Sequence, residues 1–367
     1  MKPTSIINSL FLALTTTILT HATPSFQPIR TGYGSNGIHS VIRDSIPHPG
    51  WSGHHVYLFR PDIDDGMRPV VFFCHGIGAD DPQNYDALIT HLVSTGFCVI
   101  YSPYRTSQAM IMPQPAYGKM WDGLSKGAQH WSGLIDTSRI GFVGHSYGGG
   151  AVPSHMRRAI IERGWGYNGA FMFIMAPWYC HHITQNELRY FPGHVKMIVQ
   201  VYEDDRVNDH RMAADIVSSI GISPADKRLV TLHSDTLGGA VLSADHGTPQ
   251  DPVDALDYYG IYRLIDALAD CAFTGSRHAR SVAFGPESFE HRRMGVWSDG
   301  TPVTFLTSAT ALEHPLPQKC VVNFWGHSMN PRTKFGERMG FVARQIVNTP
   351  QTLWHYGRHA AWVAVRD

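Results

Sequence analysis

The sequence predicts an α/β fold in which a mostly parallel central sheet is covered by helices on both faces and is followed by a C-terminal extension. Two observations support this prediction. Short, continuous apolar runs end in turn residues, and segments with helical spacing alternate with them along the chain. Continuous apolar runs are typical of strands that are buried on both faces, as in a parallel sheet between two helix layers.

The predicted strands share a run of apolar residues that is bounded by glycine, proline or polar residues. They are 54–59, 70–74, 98–101, 140–143, 170–175, 197–202 and 229–232. The predicted helices fall between or after them, at 85–94, 120–134, 149–162, 209–220 and 253–272. In the last helix the apolar residues recur at helical spacing, so one of its faces can pack on the sheet.

Composition limits the classes of partner. The 367 residues contain 30 Lys plus Arg and 30 Asp plus Glu, so the formal net charge is zero. A protein without a basic field or a basic stripe has no electrostatic footprint for the phosphate backbone. We therefore expect no nucleic-acid partner.

The chain begins with the zones of a signal peptide. Lys2 precedes an apolar stretch at residues 6–20, and Thr20-His21-Ala22 then ends in the small residue expected before a cleavage site. This order predicts a signal peptide at 1–22 and a secreted or periplasmic protein. A retained membrane anchor is the alternative, but the stretch is shorter than the roughly 20 apolar residues that a spanning helix needs. We expect no stable membrane span.

The rest of the chain is divided into a catalytic domain at 23–303 and an extension at 304–367 that packs on it. The extension is predicted because the residues toward the C-terminus are less periodic and richer in His, Arg and Pro. The chain has five cysteines, of which Cys74 and Cys98 lie in predicted strands and are expected to be buried hydrophobes. The others, Cys180, Cys271 and Cys320, leave the disulfide pairing open.

Residues 144–148, Gly-His-Ser-Tyr-Gly, match the Gly-x-Ser-x-Gly turn that presents a nucleophilic serine. A predicted strand leads into this turn and a predicted helix leaves it, which is the order that the motif requires. Ser146 is therefore the candidate nucleophile. Ser328, in Gly-His-Ser-Met-Asn, is the alternative, but Asn330 replaces the final glycine and Pro331 follows at once.

These motifs resemble those of a known family. The strand that enters residues 75–78, His-Gly-Ile-Gly, the turn Gly-His-Ser-x-Gly-Gly and their spacing resemble the dienelactone-hydrolase-like branch of the α/β-hydrolase superfamily. Cutinase-like polyester hydrolases and platelet-activating-factor acetylhydrolases are similar in the same way. The resemblance covers residues 56 to about 272. It implies an α/β-hydrolase fold in which the backbone amides of Ile77 and Tyr147 form the oxyanion hole.

The same resemblance orders the other catalytic residues as serine, acid and histidine along the chain. Four acidic residues that compete for the role follow the predicted strand 197–202, namely Glu203, Asp204, Asp205 and Asp209. The family pattern favours Asp205, with Asp204 next. His246 lies just before the last large predicted helix and is the expected base, with His233 as its rival. The expected triad is Ser146, Asp205 and His246.

Trp178 and Tyr104 are predicted to line the substrate pocket. Trp178 lies in a Pro-Trp turn that resembles one in polyester-hydrolase relatives, and Tyr104 follows a predicted strand at the end where clefts open. Cys180, His181 and His182 stand together, yet no second ligand cluster at zinc-like spacing accompanies them. We expect neither a metal nor a cofactor.

Together these features predict an exported serine hydrolase that cleaves small or polymeric carboxylic esters through an acyl-enzyme. An amidase or peptidase with the same triad is one alternative, because the triad itself does not separate an ester from an amide. A non-catalytic binding protein on the same fold is the other, because fold does not dictate function.

Overall fold

The computed structural model describes residues 24–106, 113–309 and 320. The predicted signal peptide, the alternative nucleophile Ser328 and most of the predicted C-terminal extension lie outside these residues. Within the described part of the chain, no helix is both long enough and apolar enough to cross a bilayer.

The strands of the described residues are β1 Val41–Pro47, β2 His55–Pro61, β3 Arg68–Cys74, β4 Cys98–Tyr101, β5 Ile135–His145, β6 Ala170–Met175, β7 Lys196–Tyr202, β8 Lys227–Leu232, β9 Asp235–Leu237, β10 Ala240–Leu242 and β11 Thr307–Ala309. Within this part of the chain, nine of them form one central sheet in the order β1-β2-β4-β3-β5-β6-β7-β8-β11. The run from β4 to β8 is parallel, whereas β1, β2 and β11 pair antiparallel with their neighbours. A separate hairpin is formed by β9 and β10.

The helices lie on both faces of this sheet. They are α1 Asp86–Ser94, α2 Pro113–His130, α3 Ser146–Arg163, α4 Gln185–Arg189, α5 Arg211–Ser219, α6 Arg263–Thr274, α7 Arg277–Phe284 and α8 Phe289–Arg292, with a π-helix at Leu256–Tyr262 and short 3-10 turns at Pro82–Tyr85 and Pro224–Asp226. Along β3, Val70 and Phe72 belong to the core that includes residues of α2 and α3. Val71 and Phe73 belong to the opposite core, with residues of α1 and α6. The predicted fold class is confirmed, and the strand order is compatible with the α/β-hydrolase fold.

Two parts of the sheet differ from the prediction. β1 precedes the first predicted strand, 54–59, and its residues alternate between exposed and half-buried. An edge strand of this kind keeps polar residues such as Asp44 and Ser45, so it has no continuous apolar run. At the other edge, β11 pairs with β8 from within the range 304–367 that was assigned to the extension.

Cysteines are buried throughout the described chain. Cys74, Cys98 and Cys271 carry free thiols, so Cys271 forms no disulfide in this structure. Burial raises the pKa of Cys98 to about 11 and that of Cys74 further still. Buried thiols with raised pKa values are inert at neutral pH, which fits the packing role expected of Cys74 and Cys98.

A buried arginine ties the segment after α7 to the helix layer. Arg263, only 1% exposed, donates through Nε to the carbonyl oxygen of Tyr259 at 2.9 Å. Its Nη2 donates to the carbonyl oxygens of His291 and Arg293, both at 3.0 Å, and its Nη1 donates to that of Glu290. Burial lowers the pKa of Arg263 to about 9. Backbone carbonyls are thus the groups that compensate this buried guanidinium.

Replacing Arg263 with methionine is expected to lower the free energy of unfolding by about 2 to 4 kcal/mol, because several buried carbonyl groups lose their donor. Urea unfolding followed by circular dichroism measures this loss. Arg277→Met, at an exposed position on α7, is the matched control and should stay within about 0.5 kcal/mol of the wild type. Equal stability of the two variants would contradict the assignment.

The parallel strands all end at one edge of the sheet. The segments that follow β3, β5 and β7, together with the segment after the β9–β10 hairpin, therefore meet at this edge. These segments carry residues 75–78, Ser146, Asp205 and His246, which are the candidate functional residues.

Candidate active site

Ser146 stands at the tip of a sharp turn between β5 and α3. Its φ angle is 54°, in the left-handed region that a residue with a side chain seldom adopts. Glycines on either side make the turn possible. A Cβ on Gly144 would lie 2.8 Å from the carbonyl oxygen of Gly148, and a Cβ on Gly148 would lie 2.0 Å from that of Cys74. The strained conformation is held by close backbone packing of α3 against β3 and β5.

Ser146, His246 and Asp205 form a continuous hydrogen-bonded line. The Oγ of Ser146 lies 2.9 Å from Nε2 of His246. The Nδ1 of His246 lies 2.8 Å from Oδ2 of Asp205. Because an ionised carboxylate can only accept, Nδ1 carries the proton and donates a hydrogen bond to Asp205, which leaves Nε2 free to accept a hydrogen bond from the serine hydroxyl. This is the arrangement that lets a histidine deprotonate a serine.

Asp205 is buried and strongly held. Its Oδ1 accepts from the backbone amides of Val207 at 2.7 Å and Asn208 at 3.0 Å. Burial on its own raises the pKa of Asp205, but the His246 ring and the two backbone amides outweigh it and hold the pKa below its ordinary value. The carboxylate therefore stays ionised at neutral pH and keeps the imidazole of His246 in one orientation.

The alternative acid and base lie away from Ser146. Asp204 accepts a hydrogen bond from Ser234 at 2.6 Å and forms an exposed ion pair with Arg206 at 3.6 Å. His233 lies 3.3 Å from Glu203. Of the residues considered from the sequence, the structure brings Asp205 and His246 to the serine and leaves Asp204 and His233 in a neighbouring polar cluster.

The two predicted oxyanion donors flank the serine. Tyr147 is the second residue of α3, so its amide lies in the first turn of the helix. The helix dipole also places partial positive charge at this end. Ile77 follows Gly76, and a Cβ added to Gly76 would lie 3.3 Å from Cβ of Ser146. Both amides belong to backbone that lies close to Ser146.

His75 orients the peptide that carries the amide of Ile77. Its Nδ1 donates to the carbonyl oxygen of Gly76 at 2.8 Å, and burial lowers the pKa of His75 to about 3, so the ring is neutral. In a trans peptide the N–H points away from the C=O. With the carbonyl of Gly76 turned toward His75, the amide of Ile77 faces the opposite side, where it can serve as a donor.

The two predicted pocket residues pack around Tyr147. Tyr104 is fully buried and Trp178 is 2% exposed. Their ring centroids lie 5.2 and 5.0 Å from that of Tyr147. Tyr104 also donates to the carbonyl oxygen of His75 at 3.1 Å, and the amide of Trp178 donates to the carbonyl oxygen of Ser146 at 2.8 Å. Both residues support the turn that carries Ser146, and their contact with substrate stays a prediction.

Sequence reasoning missed three residues that touch this site. Asn208 places Nδ2 3.5 Å from Oγ of Ser146 and donates to the carbonyl oxygen of Ala176 at 2.9 Å. Tyr85 and His145 hydrogen-bond to each other beneath the serine, at 2.9 Å. The only sequence signal was position, because His145 stands inside the serine motif and Asn208 stands three residues after Asp205.

No group of three or more His, Cys, Asp or Glu residues that could hold a metal ion occurs in the described ranges of the chain. No family model matches the sequence, and a search of curated proteins found no match either. The chain is a mixed α/β protein in which a serine, a histidine and an aspartate meet at the carboxyl edge of a mostly parallel sheet.

Proposed function

We propose that this protein is an exported serine hydrolase that cleaves carboxylic esters through an acyl-enzyme. The observation that carries the proposal is the line from Ser146 through His246 to Asp205, with hydrogen bonds of 2.9 and 2.8 Å. We further propose that it belongs to the dienelactone-hydrolase-like branch, on the strength of the serine turn and the segment at 75–78. Export rests on the signal-peptide pattern at 1–22.

In the acylation half of the reaction, Nε2 of His246 takes the proton of Ser146 as Oγ attacks the ester carbonyl carbon. The electron pair of the C=O bond moves onto its oxygen, and this oxyanion accepts hydrogen bonds from the amides of Ile77 and Tyr147. When the tetrahedral intermediate collapses, the bond to the alkoxy oxygen breaks. His246 returns the proton to that oxygen, so the alcohol leaves and an acyl-serine remains.

In the deacylation half, a water molecule gives a proton to Nε2 of His246 while its oxygen attacks the acyl carbon. A second oxyanion forms against the same two amides. Its collapse breaks the bond to Oγ of Ser146, and His246 returns the proton to the serine. The sum of both halves is ester plus water giving acid plus alcohol, so no cofactor enters the balance.

A fluorophosphonate probe tests the nucleophile directly. Intact mass is measured after incubation of the wild type, Ser146→Ala, Ser328→Ala and Ser154→Ala. Ser154 is the matched control because it lies on α3, is 1% exposed and donates to the carbonyl oxygen of Ala151. We expect one adduct on the wild type that is lost only in Ser146→Ala. Folded wild type that forms no adduct would overturn the proposal and favour the binding-protein alternative.

Two substrates with the same acyl group distinguish the esterase hypothesis from the amidase hypothesis. A p-nitrophenyl ester and the p-nitroanilide of the same acyl group present one acyl chain with two leaving groups. We expect turnover of the ester, with a far lower kcat/KM for the anilide. A kcat/KM for the anilide that equals or exceeds that of the ester would instead assign the same residues to an amidase.

A further inference from the structure

A chain of hydrogen bonds runs beneath the site and joins its separate parts. The backbone N–H of Gly76 donates to the hydroxyl oxygen of Tyr85 at 3.0 Å. The hydroxyl of Tyr85 lies 2.9 Å from Nδ1 of His145. The Nε2 of His145 lies 2.9 Å from the backbone carbonyl oxygen of His246. Tyr85 and His145 are each 1% exposed, so this chain is shielded from water.

The partners assign the direction of every hydrogen bond. A carbonyl oxygen can only accept, so Nε2 of His145 must carry a proton and donate a hydrogen bond to the carbonyl oxygen of His246. Burial, with His246 nearby, lowers the pKa of His145 well below its usual value, so the ring is neutral and Nδ1 is bare. Nδ1 therefore accepts from the hydroxyl of Tyr85, whose oxygen accepts from Gly76. In this chain of hydrogen bonds every donor therefore meets an acceptor.

This chain connects segments that are distant in the sequence. Gly76 belongs to the segment that carries the oxyanion donor Ile77, and His145 directly precedes the nucleophile. His246 is the base, and it is held here through its own backbone carbonyl. Tyr85 comes from the 3-10 turn at Pro82–Tyr85 and lies between Gly76 and His145, bonding both. Both sides of Gly76 are held, since its carbonyl accepts from His75 and its N–H donates to Tyr85.

The packing leaves little room for another arrangement. A Cβ on Gly76 would lie 3.2 Å from the hydroxyl oxygen of Tyr85 and 3.3 Å from Nδ1 of His145. The ring of His145 also packs against the ring of His246, with centroids 4.9 Å apart. A shift of the Tyr85 ring or the His145 ring would therefore move the segment at 75–78 or the base His246. Misplacement of reacting groups by about 1 Å can cost a factor of about 100 in rate.

We propose that Tyr85 and His145 are positioning residues. Together they hold the segment at 75–78, which carries the oxyanion donor Ile77, and the base His246 in fixed positions relative to Ser146. The inference rests on the proposed function, because it assigns these residues a part in that reaction. It predicts that they act on the transition state and leave the binding of the ground-state ester largely unchanged.

The test measures kcat and KM for a soluble ester in Tyr85→Phe, His145→Leu and the double variant. Tyr85→Phe keeps the ring and its packing and removes only the hydroxyl. We expect kcat to fall by about 10- to 100-fold in each single variant with KM within about 3-fold of the wild type. Because both residues belong to the same chain of hydrogen bonds, either single change already breaks it. The double variant should therefore be no slower than the slower single variant.

Affinity for a trifluoromethyl ketone, which adds the serine to form a tetrahedral oxyanion, supplies a second readout. It should weaken in proportion to the loss of kcat/KM. His145→Gln is the conservative variant, because its amide can still donate to the carbonyl of His246, and it should recover much of the kcat lost in His145→Leu. Tyr262→Phe and His155→Leu are controls, because they change buried rings that take no part in the chain of hydrogen bonds through Tyr85 and His145. Both variants are expected to keep wild-type kcat.

The failures of the two proposals are distinguishable. Wild type that is not labelled by fluorophosphonate overturns the proposed function. Labelled wild type, together with a folded Tyr85→Phe that has wild-type kcat, overturns the positioning role alone. So do losses that multiply in the double variant, changes confined to KM, or equal losses in His145→Leu and His145→Gln.

Discussion

Asp205→Asn is expected to lower kcat for ester hydrolysis by about 10⁴-fold while the protein stays folded. The remaining oxygen of the side chain can still accept from the amides of Val207 and Asn208. The new amide nitrogen then faces Nδ1 of His246, and two donors cannot pair. His246 is forced to carry its proton on Nε2, which is the atom that must accept the proton of Ser146.

Steady-state kinetics on an ester substrate measures this effect, with circular dichroism as the check on folding. Asp204→Asn is the matched control, since Asp204 is half-buried, lies one residue earlier and accepts a hydrogen bond from Ser234. We expect it to keep kcat within a few-fold of the wild type. A large loss in Asp204→Asn with little loss in Asp205→Asn would reassign the acid.

Gly148→Ala is expected to abolish measurable ester hydrolysis and to lower the free energy of unfolding by about 3 kcal/mol or more. The added Cβ would lie 2.0 Å from the carbonyl oxygen of Cys74 and 2.5 Å from that of His75. Both atoms are backbone, so no side chain can turn aside to make room. The start of α3, which carries Tyr147, must then move away from the end of β3, which leads into the segment with Ile77.

Urea unfolding and ester turnover are measured together for this variant. Gly133→Ala is the control, because a Cβ at Gly133 meets no atom within 4 Å. It should match the wild type in activity and in stability within about 0.5 kcal/mol. If Gly148→Ala retains wild-type turnover, the close contact between α3 and β3 is not needed for the site.

The central strands could be predicted because burial on both faces leaves a continuous apolar run. β6, which occupies the predicted range 170–175, has no exposed residue. β1 and β11 lie at the edges of the sheet, and their mixed polarity resembles that of loops. The π-helix at Leu256–Tyr262 was included in an ordinary predicted helix, because its apolar residues still recur every three or four positions.

Part of the candidate site could be predicted from the sequence for a different reason. The serine turn is a local motif, so Ser146 could be recognised within five residues. Separating Asp205 from Asp204 on physical grounds required burial, since Asp205 has 0% exposure and accepts two backbone amides. The bonds from His145 to Tyr85 and His246 span 60 and 101 residues and arise only when the sheet brings those segments together.

The pairing of β11 with β8 has a consequence for where the folded body can be cut. β8 contains the buried apolar residues Leu229, Val230 and Leu232. Without β11 it would become a border strand whose backbone groups are open to any other chain, which is a template for aggregation. β11 therefore shields the sheet from edge-to-edge association. A shortened protein should keep Thr307–Ala309 to remain monodisperse, although these residues lie beyond the predicted catalytic domain at 23–303.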